Sequence, residues 1–162
     1  MATTLAAYAR RVVGTRVRTA RNADVPAIEA LVAAAFAPFV ARTGIRPAPL
    51  ATDWPTVISA LGASVATLDD RIVGVLVVWP HPDHVLVDLL AVGPAEQGRG
   101  VGSALLDRAE ALAREAGKGA LRLHTNAAMR EALAYYPRRD FVETGRRTEQ
   151  GFDRVLFEKR LA

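Results

Sequence analysis

The stretch Gln97-Gly98-Arg99-Gly100-Val101-Gly102-Ser103 sets three alternating glycines between an apolar run at 85–92 and a helix-like segment. Glycine weakens helices, so its repetition at a helix mouth answers some other demand. The first amide N–H groups of a helix lack internal acceptors, and the helix dipole adds partial positive charge there. An anion such as a pyrophosphate can dock on them if no side chain obstructs it. Glycines at 98, 100 and 102 clear side chains and permit left-handed backbone, while Gln97 and Arg99 can add donors. The plain alternative is a tight strand-to-helix turn. A dinucleotide fingerprint fits poorly, because Ser103 stands where its last glycine belongs, and a P-loop fails because no lysine follows Gly102.

Other groups carry acid–base capacity. Asp88 interrupts the apolar run Val-Leu-Val-Asp-Leu-Leu-Ala-Val; in a regular strand it shares a face with Leu90 and Val92. There it could take a proton from an incoming group, or it could be a paired or partly solvated acid. His81 and His84 flank Asp83 in a Pro-His-Pro-Asp-His turn and read as exposed turn residues. No fixed spacing supports a metal cluster, and none is expected. His124 lies near a strand end. Cysteine is absent, which excludes disulfides, thiolate ligands and a cysteine nucleophile.

The elements that must position these groups follow from periodicity. Residues 17–20 read as a strand, and Asp24 is a candidate cap for a helix in which Ile28, Leu31, Val32, Ala35 and Phe36 recur at helical spacing. Residues 37–53, with three prolines, read as an irregular connection. A short helix at 54–61, with Asp53 as cap, precedes strands at 64–68, 72–79 and 85–92. After the glycines come a helix to about 116, a strand at 121–125, a helix at 128–135, and strands at 141–146 and 152–160. This order, β-α-α-β-β-β-α-β-α-β-β, predicts a three-layer α/β (α+β) arrangement: a mostly antiparallel central sheet with helices on both faces.

At 162 residues the chain reads as one domain, residues 16–162, after an N-terminal extension at 1–15 that has two arginines and no acid. No uninterrupted apolar run approaches a membrane span, so no membrane partner is expected. The formal charge is +4, but the arginines are dispersed and aromatics few, so nucleic acid is not the expected partner. A cytoplasmic location is the expectation.

The glycine stretch also resembles the acetyl-CoA motif of the GNAT superfamily of N-acetyltransferases, Q/R-x-x-G-x-G/A after a strand ending like L-A-V-x-P. Here it stands as Leu90-Ala91-Val92-Gly93-Pro94, then Gln97-Gly98-Arg99-Gly100-Val101-Gly102. The similarity extends from about residue 17 to 161 through the element order. It implies a GNAT-like fold, acetyl-CoA as cosubstrate, and no metal. It implies that amides of Gly98 to Ser103 bind the coenzyme's pyrophosphate and that the backbone of Leu90, Ala91 and Val92 pairs with the pantetheine arm. The reaction implied is direct attack of a primary amine, of a small molecule or a peptide or protein, on the bound thioester.

The resemblance extends to proton transfer. The family's second motif has a tyrosine five residues before the phenylalanine of a Gly-Phe pair, and Tyr136 stands five before Phe141. Tyr136 is thus the candidate acid for the departing sulfur, with Tyr135 as neighbouring alternative; the plain reading is a ring that packs the helix end. Asp88 becomes the candidate base. Two departures stand out: Asp140 replaces the glycine before Phe141, and Met129 replaces an asparagine seven residues before the tyrosine. Asn126 could take over that contact with the coenzyme, or cap the next helix. The family's acceptor pocket maps onto 36–54 and 146–152, where Phe39, Arg42, Ile45, Arg46 and Trp54 could line it and Arg42 or Arg46 could hold a carboxylate. A coenzyme A-responsive binding or regulatory module without turnover is the rival reading. The last strand could complete the sheet or pair across an edge to make a homodimer.

Overall fold

The computed structural model describes residues 14–162, so the expected extension at 1–15 lies outside the described residues apart from Gly14 and Thr15. Seven strands form a mostly antiparallel sheet in the order β1-β2-β3-β4-β5-β7-β6. They are β1 (Arg16–Thr19), β2 (Ala63–Leu68), β3 (Arg71–Pro80), β4 (Val85–Val92), β5 (Ala120–Asn126), β6 (Val142–Glu149) and β7 (Phe152–Arg160). The helices are α1 (Val25–Thr43), α2 (Trp54–Ser59), α3 (Val101–Glu115) and α4 (Arg130–Tyr135). The class and the element order are those the sequence predicts.

Two compact units divide the chain: residues up to 77 with 89–108, and residues 78–88 with 109–162. Strands β3 and β4 and helix α3 each run through both, so no linker marks the division in the sequence.

In the first unit, β1 and β2 pair antiparallel with Arg16 opposite Thr67, and β2 and β3 with Ala63 opposite Val77. Asp69 and Asp70 make the β2–β3 turn with φ of 49° and 61°, the double left-handed geometry that suits a two-residue hairpin. Asp24 does not cap α1 with its side chain. Its carboxylate instead accepts from the Arg21 amide at 2.8 Å and from both terminal nitrogens of Arg18 at 2.7 and 2.9 Å. That guanidinium holds the Asp24 carboxyl below its ordinary range. Asp53 does cap α2, accepting from Thr56 N at 3.4 Å and Thr56 Oγ1 at 2.7 Å.

Helix α1 runs through Pro38 to Thr43 and so takes in the first part of the expected irregular connection. Three prolines suggested a break, yet only Pro38 falls inside the helix, and Gly44, at φ +69°, ends it by donating to Val40 O at 2.8 Å. The stretch Asn22–Thr43 is, by length and composition alone, apolar enough to cross a membrane, with a mean hydropathy of 1.6. Asp24, Glu29 and Arg42 interrupt it, so it holds no long unbroken apolar run. Its buried stripe, Ile28, Leu31, Val32 and Phe39, serves the core of the unit together with Val65, Val73, Val75 and Leu76. Gly74 lets α3 approach β3: a Cβ there would lie 2.8 Å from Leu105 Cδ1, 3.0 Å from Val101 Cγ1 and 3.3 Å from Ala91 O.

In the second unit β4 and β5 run parallel, with Val85 opposite Leu121 and Leu86 opposite Arg122. Strands β5 and β7 pair antiparallel over the whole of β5, placing His124 opposite Leu156 and Asn126 opposite Arg154. Strands β6 and β7 form the last hairpin, turned by Gln150 and Gly151 at φ 51° and 79°. Val85, Leu121, Leu123, Val155 and Phe157 are buried here, each worth roughly 1.5–3 kcal/mol of transfer free energy.

Candidate functional site

The glycine loop belongs to the first unit. Gly93 ends β4 and donates to Val73 O at 2.9 Å, and a 3-10 turn, Pro94–Glu96, follows. Glu96 is tucked under the turn, 8% exposed, and a Cβ on Gly93 would collide with its carboxylate at 2.7 Å. Gln97 does not reach outward for an anion: its Nε2 donates to Val92 O at 3.2 Å and ties the loop to its strand. Gly98 and Gly100 stand at φ +76° and +90°, backbone that other residues rarely adopt. No heavy atom lies within 4 Å of a Cβ placed on Gly98, so that glycine answers to backbone conformation rather than to crowding. Gly102 lies within α3.

The first backbone bond into α3 runs from Ala104 N to Gly100 O at 3.1 Å. The amides of Val101, Gly102 and Ser103 therefore precede the intrahelical ladder and carry the positive end of a fifteen-residue helix. The backbone of this loop can hold an anion; Arg99, exposed beside it, can add charge. Leu89 and Ala91 are buried, while Leu90 and Val92 point to the less buried side of β4.

Asp88 belongs to the second unit. Burial alternates along β4, and Asp88 falls on the open side with Leu86. The Trp79 indole N–H donates to its Oδ2 at 3.2 Å. The β4–β5 ladder ends after Leu86 and Arg122, two residues before Asp88 and His124. Paired parallel strands present matched residues on one face, so Asp88 and His124 share a face just beyond the last pairing.

Arg154 Nη1 stands against the His124 ring, 2.8 Å from Nδ1 and 3.4 Å from Nε2. Burial, the Arg154 charge and, more weakly, Arg147 lower its pKa, against the opposing pull of Asp88 and Glu149. Arg154 also meets Glu149 at 3.2 Å and lies over the Phe152 ring at 5.7 Å. Neither Trp79 nor Arg154 was a sequence candidate, because only the β3–β4 turn and the β5–β7 register bring them here. A period-two reading of β4 and β5 was the available signal for His124.

Tyr136 also lies in the second unit, 9% exposed, with its ring against Phe141 and Phe157 at 5.5 and 5.8 Å. Burial, and secondarily Tyr135, pushes its phenol above the ordinary value, so it stays protonated. Asp140 adopts φ +69°, the left-handed conformation that glycine ordinarily supplies. Asn126 Oδ1 accepts from Ala128 N at 2.9 Å, making a turn before α4, which starts at Arg130 rather than 128. Met129 Sδ accepts from Thr125 Oγ1 at 3.4 Å.

Of the candidate acceptor residues, Phe39 and Trp54 are 4% and 2% exposed and belong to the core of the first unit. Arg42 and Arg46 are exposed and Ile45 is half-buried. His81 and His84 stack at 4.6 Å, with Asp83 2.7 Å from His84 Nδ1 and 3.1 Å from Arg122. Among the described residues no group of three or more His, Cys, Asp and Glu side chains is arranged to hold a metal.

A model of the Acetyltransferase (GNAT) family matches residues 28–141. No curated protein matches the chain. Among solved structures, the PaiA N-acetyltransferase from Thermoplasma acidophilum, in complex with coenzyme A, is 17% identical. Its TM-score is 0.76, over 90% of this chain and 98% of that one. The GCN5-related N-acetyltransferase from Rhodopseudomonas palustris is 25% identical, with a TM-score of 0.73 over 90% and 95%. Nourseothricin acetyltransferase is 25% identical, with a TM-score of 0.70 over 93% and 100%.

Proposed function

The chain belongs to the Acetyltransferase (GNAT) family, and is an acyltransferase by that membership; from this premise we propose that it transfers an acetyl group from acetyl-CoA to a primary amine by direct attack in a ternary complex. The observation that carries the reading is the pair of left-handed glycines, Gly98 and Gly100, immediately before the amides that open α3. In it, backbone N–H groups of Gly98 to Ser103 hold the pyrophosphate, except that of Arg99, which donates to Glu96 O at 3.3 Å and leaves its side chain alongside, and Leu90, Ala91 and Val92 pair with the pantetheine arm. Gln97 acts at one remove, by anchoring the loop to Val92. Coenzyme A bound to the Thermoplasma acidophilum relative supports the cosubstrate.

In the proposed reaction Asp88 takes the ammonium proton, directly or through water. The freed amine attacks the thioester carbonyl, the new C–N bond forms and the C–S bond breaks. The sulfur leaves with the electron pair and receives a proton from Tyr136, and the surplus proton on the newly bonded nitrogen returns to the Tyr136 oxygen, leaving the neutral amide. A phenol kept protonated by burial is loaded for that task, and the same surroundings would raise a thiolate's proton affinity in parallel. The acceptor is a primary amine of a small molecule or peptide, and in this reading Arg42 or Arg46 holds a carboxylate on it. Asn126 has one oxygen committed to Ala128, and only its amide nitrogen is offered to the coenzyme.

Titration calorimetry with acetyl-CoA tests the reading: saturable binding is expected, and its absence at high micromolar concentration rejects it. Release of free thiol with a panel of amines then separates an enzyme from a coenzyme A-responsive module. The rival rests on Met129 and Asp140, but Asp140 holds the glycine conformation, so that departure leaves the local backbone intact.

A further inference from the structure

We propose that Arg154, with Arg147 beside it, is a carboxylate subsite on the face that carries Asp88, so that the acceptor is an amine bearing its own carboxylate, an amino acid. The proposal rests on the acetyl-transfer reading for what happens to the amine, but not for the binding of the carboxylate.

Register sets the groups in one row. Asn126 on β5 lies opposite Arg154 on β7, and Arg154 lies opposite Arg147 on β6. Directly opposed residues share a face of the sheet, and so do His124 and Asn126, two apart on one strand. His124 in turn shares its face with Asp88. Along the strand order β4-β5-β7-β6, this face therefore runs from a carboxylate through an imidazole to two guanidiniums. All of these residues lie in the second unit, whereas Arg42 and Arg46 lie in the first.

The chain itself shows what the two guanidiniums take. One carboxylate oxygen, Glu149 Oε2, stands 3.2 Å from Arg154 Nε and 3.4 Å from Arg147 Nη2. That carboxylate is loosely held. Its side chain is 47% exposed, and Arg154 Nε is buried without a hydrogen bond, so the contact is an ion pair only. Arg154 by contrast is fixed, over the Phe152 ring at 5.7 Å and against His124 at 2.8 Å. Among the described residues its Nη2 meets no acceptor. Two cations against one exposed carboxylate leave positive charge unspent, and a guanidinium already fixed loses little freedom on taking an anion.

The spacing suits a short zwitterion. Paired strands lie ~5 Å apart, and Arg154 leans back onto the β5 histidine, so its guanidinium and the Asp88 carboxylate stand on the order of one to two strand spacings apart, ~5–10 Å. An amino acid can span that gap with its ammonium at Asp88 and its carboxylate at Arg154. The reverse pose sets like charges together at both ends, which fixes the orientation.

Binding is read first, without cosubstrate. The full chain is titrated with β-alanine, or with its carboxamide as control, while nitrogen-15 NMR follows the arginine Nε–H signals. Burial of Arg154 Nε slows exchange of its proton, and its signal is assigned by its loss in Arg154→Lys. The acid should shift that signal saturably and the carboxamide should not. No saturable shift, or an equal shift from both, overturns the proposal.

Turnover reads specificity. Amino acids with one to three carbons between amine and carboxylate are each compared with their carboxamides, as the ratio of kcat/KM for acid over amide. Comparing that ratio between variant and wild type cancels the basicity of the amines. Arg154→Met should lower it by about tenfold, mainly through KM, and Arg154→Lys by less. Glu149→Gln removes an exposed competing carboxylate and should raise it by about threefold. A ratio unmoved by Arg154→Met or by Glu149→Gln, or one abolished instead by Arg42→Met or Arg46→Met, overturns the proposal. So does preference for the N-terminus of an amidated peptide over every free amino acid. If no amine is acetylated while β-alanine still shifts the Arg154 signal, the functional reading fails and the carboxylate subsite stands.

Discussion

The glycine loop and the Asp88–His124 face make their chemistry from different materials. The loop works through main chain. Its donors are amides of the α3 mouth, its shape is set by Gly98 and Gly100 at positive φ, and Gln97 turns back to Val92. The Asp88 face works through side chains: an indole on a carboxylate and a guanidinium on an imidazole, the latter pair spanning β5 and β7. A backbone site tolerates loss of the side chains around it but not the addition of new ones. A side-chain site is the reverse.

That contrast can be broken by experiment. The largest effect should come from Gly100→Asp, which puts a Cβ and a negative charge where φ is +90° and an anion is to sit. Affinity for acetyl-CoA, read by calorimetry, should fall by about a hundredfold or more; an unchanged value would remove the pyrophosphate assignment. Asp88→Asn should lower kcat/KM by about a hundredfold in steady-state thiol release while leaving acetyl-CoA binding alone. Tyr136→Phe should slow turnover by about tenfold, again at constant acetyl-CoA affinity, and a wild-type kcat would end its role as acid. The smallest effect should be that of Gly98→Ala. Open space surrounds its Cβ, so the penalty is the left-handed backbone alone, about 1 kcal/mol in thermal unfolding. A Gly98→Ala loss as large as that of Gly100→Asp would mean crowding, not conformation, governs the loop.

The same contrast explains what could be read from the sequence. Strands β4 and β7 lie where alternation and turn residues put them, and the loop announces itself because three glycines before a helix are chemically odd. The end of α1 was not legible, since Pro38 is tolerated inside the helix and Gly44, not the first proline, stops it. Asp24 looked like a cap because it precedes the helix, but Arg18 on β1 competes for its carboxylate. Phe39 and Trp54 read as pocket lining, and packing that no local pattern encodes buries both in the first unit. The Arg154–His124 contact depends on the β5–β7 register, which sets Asn126 against Arg154 across a long sequence separation. No local pattern encodes it.

Gly74 bears on how the loop could be tuned from a distance. A hydrogen there, in place of a methyl, is what allows the first two turns of α3 to rest on β3 beside Ala91. Alanine at that position would leave every phosphate-facing atom chemically intact. Its Cβ would press on Leu105 Cδ1 and Val101 Cγ1, and to the extent that the helix rather than those side chains gives way, the amides that open α3 would shift. The grip on the coenzyme would then weaken through a residue the coenzyme never meets, which makes position 74 a dial for affinity rather than a part of the binding surface.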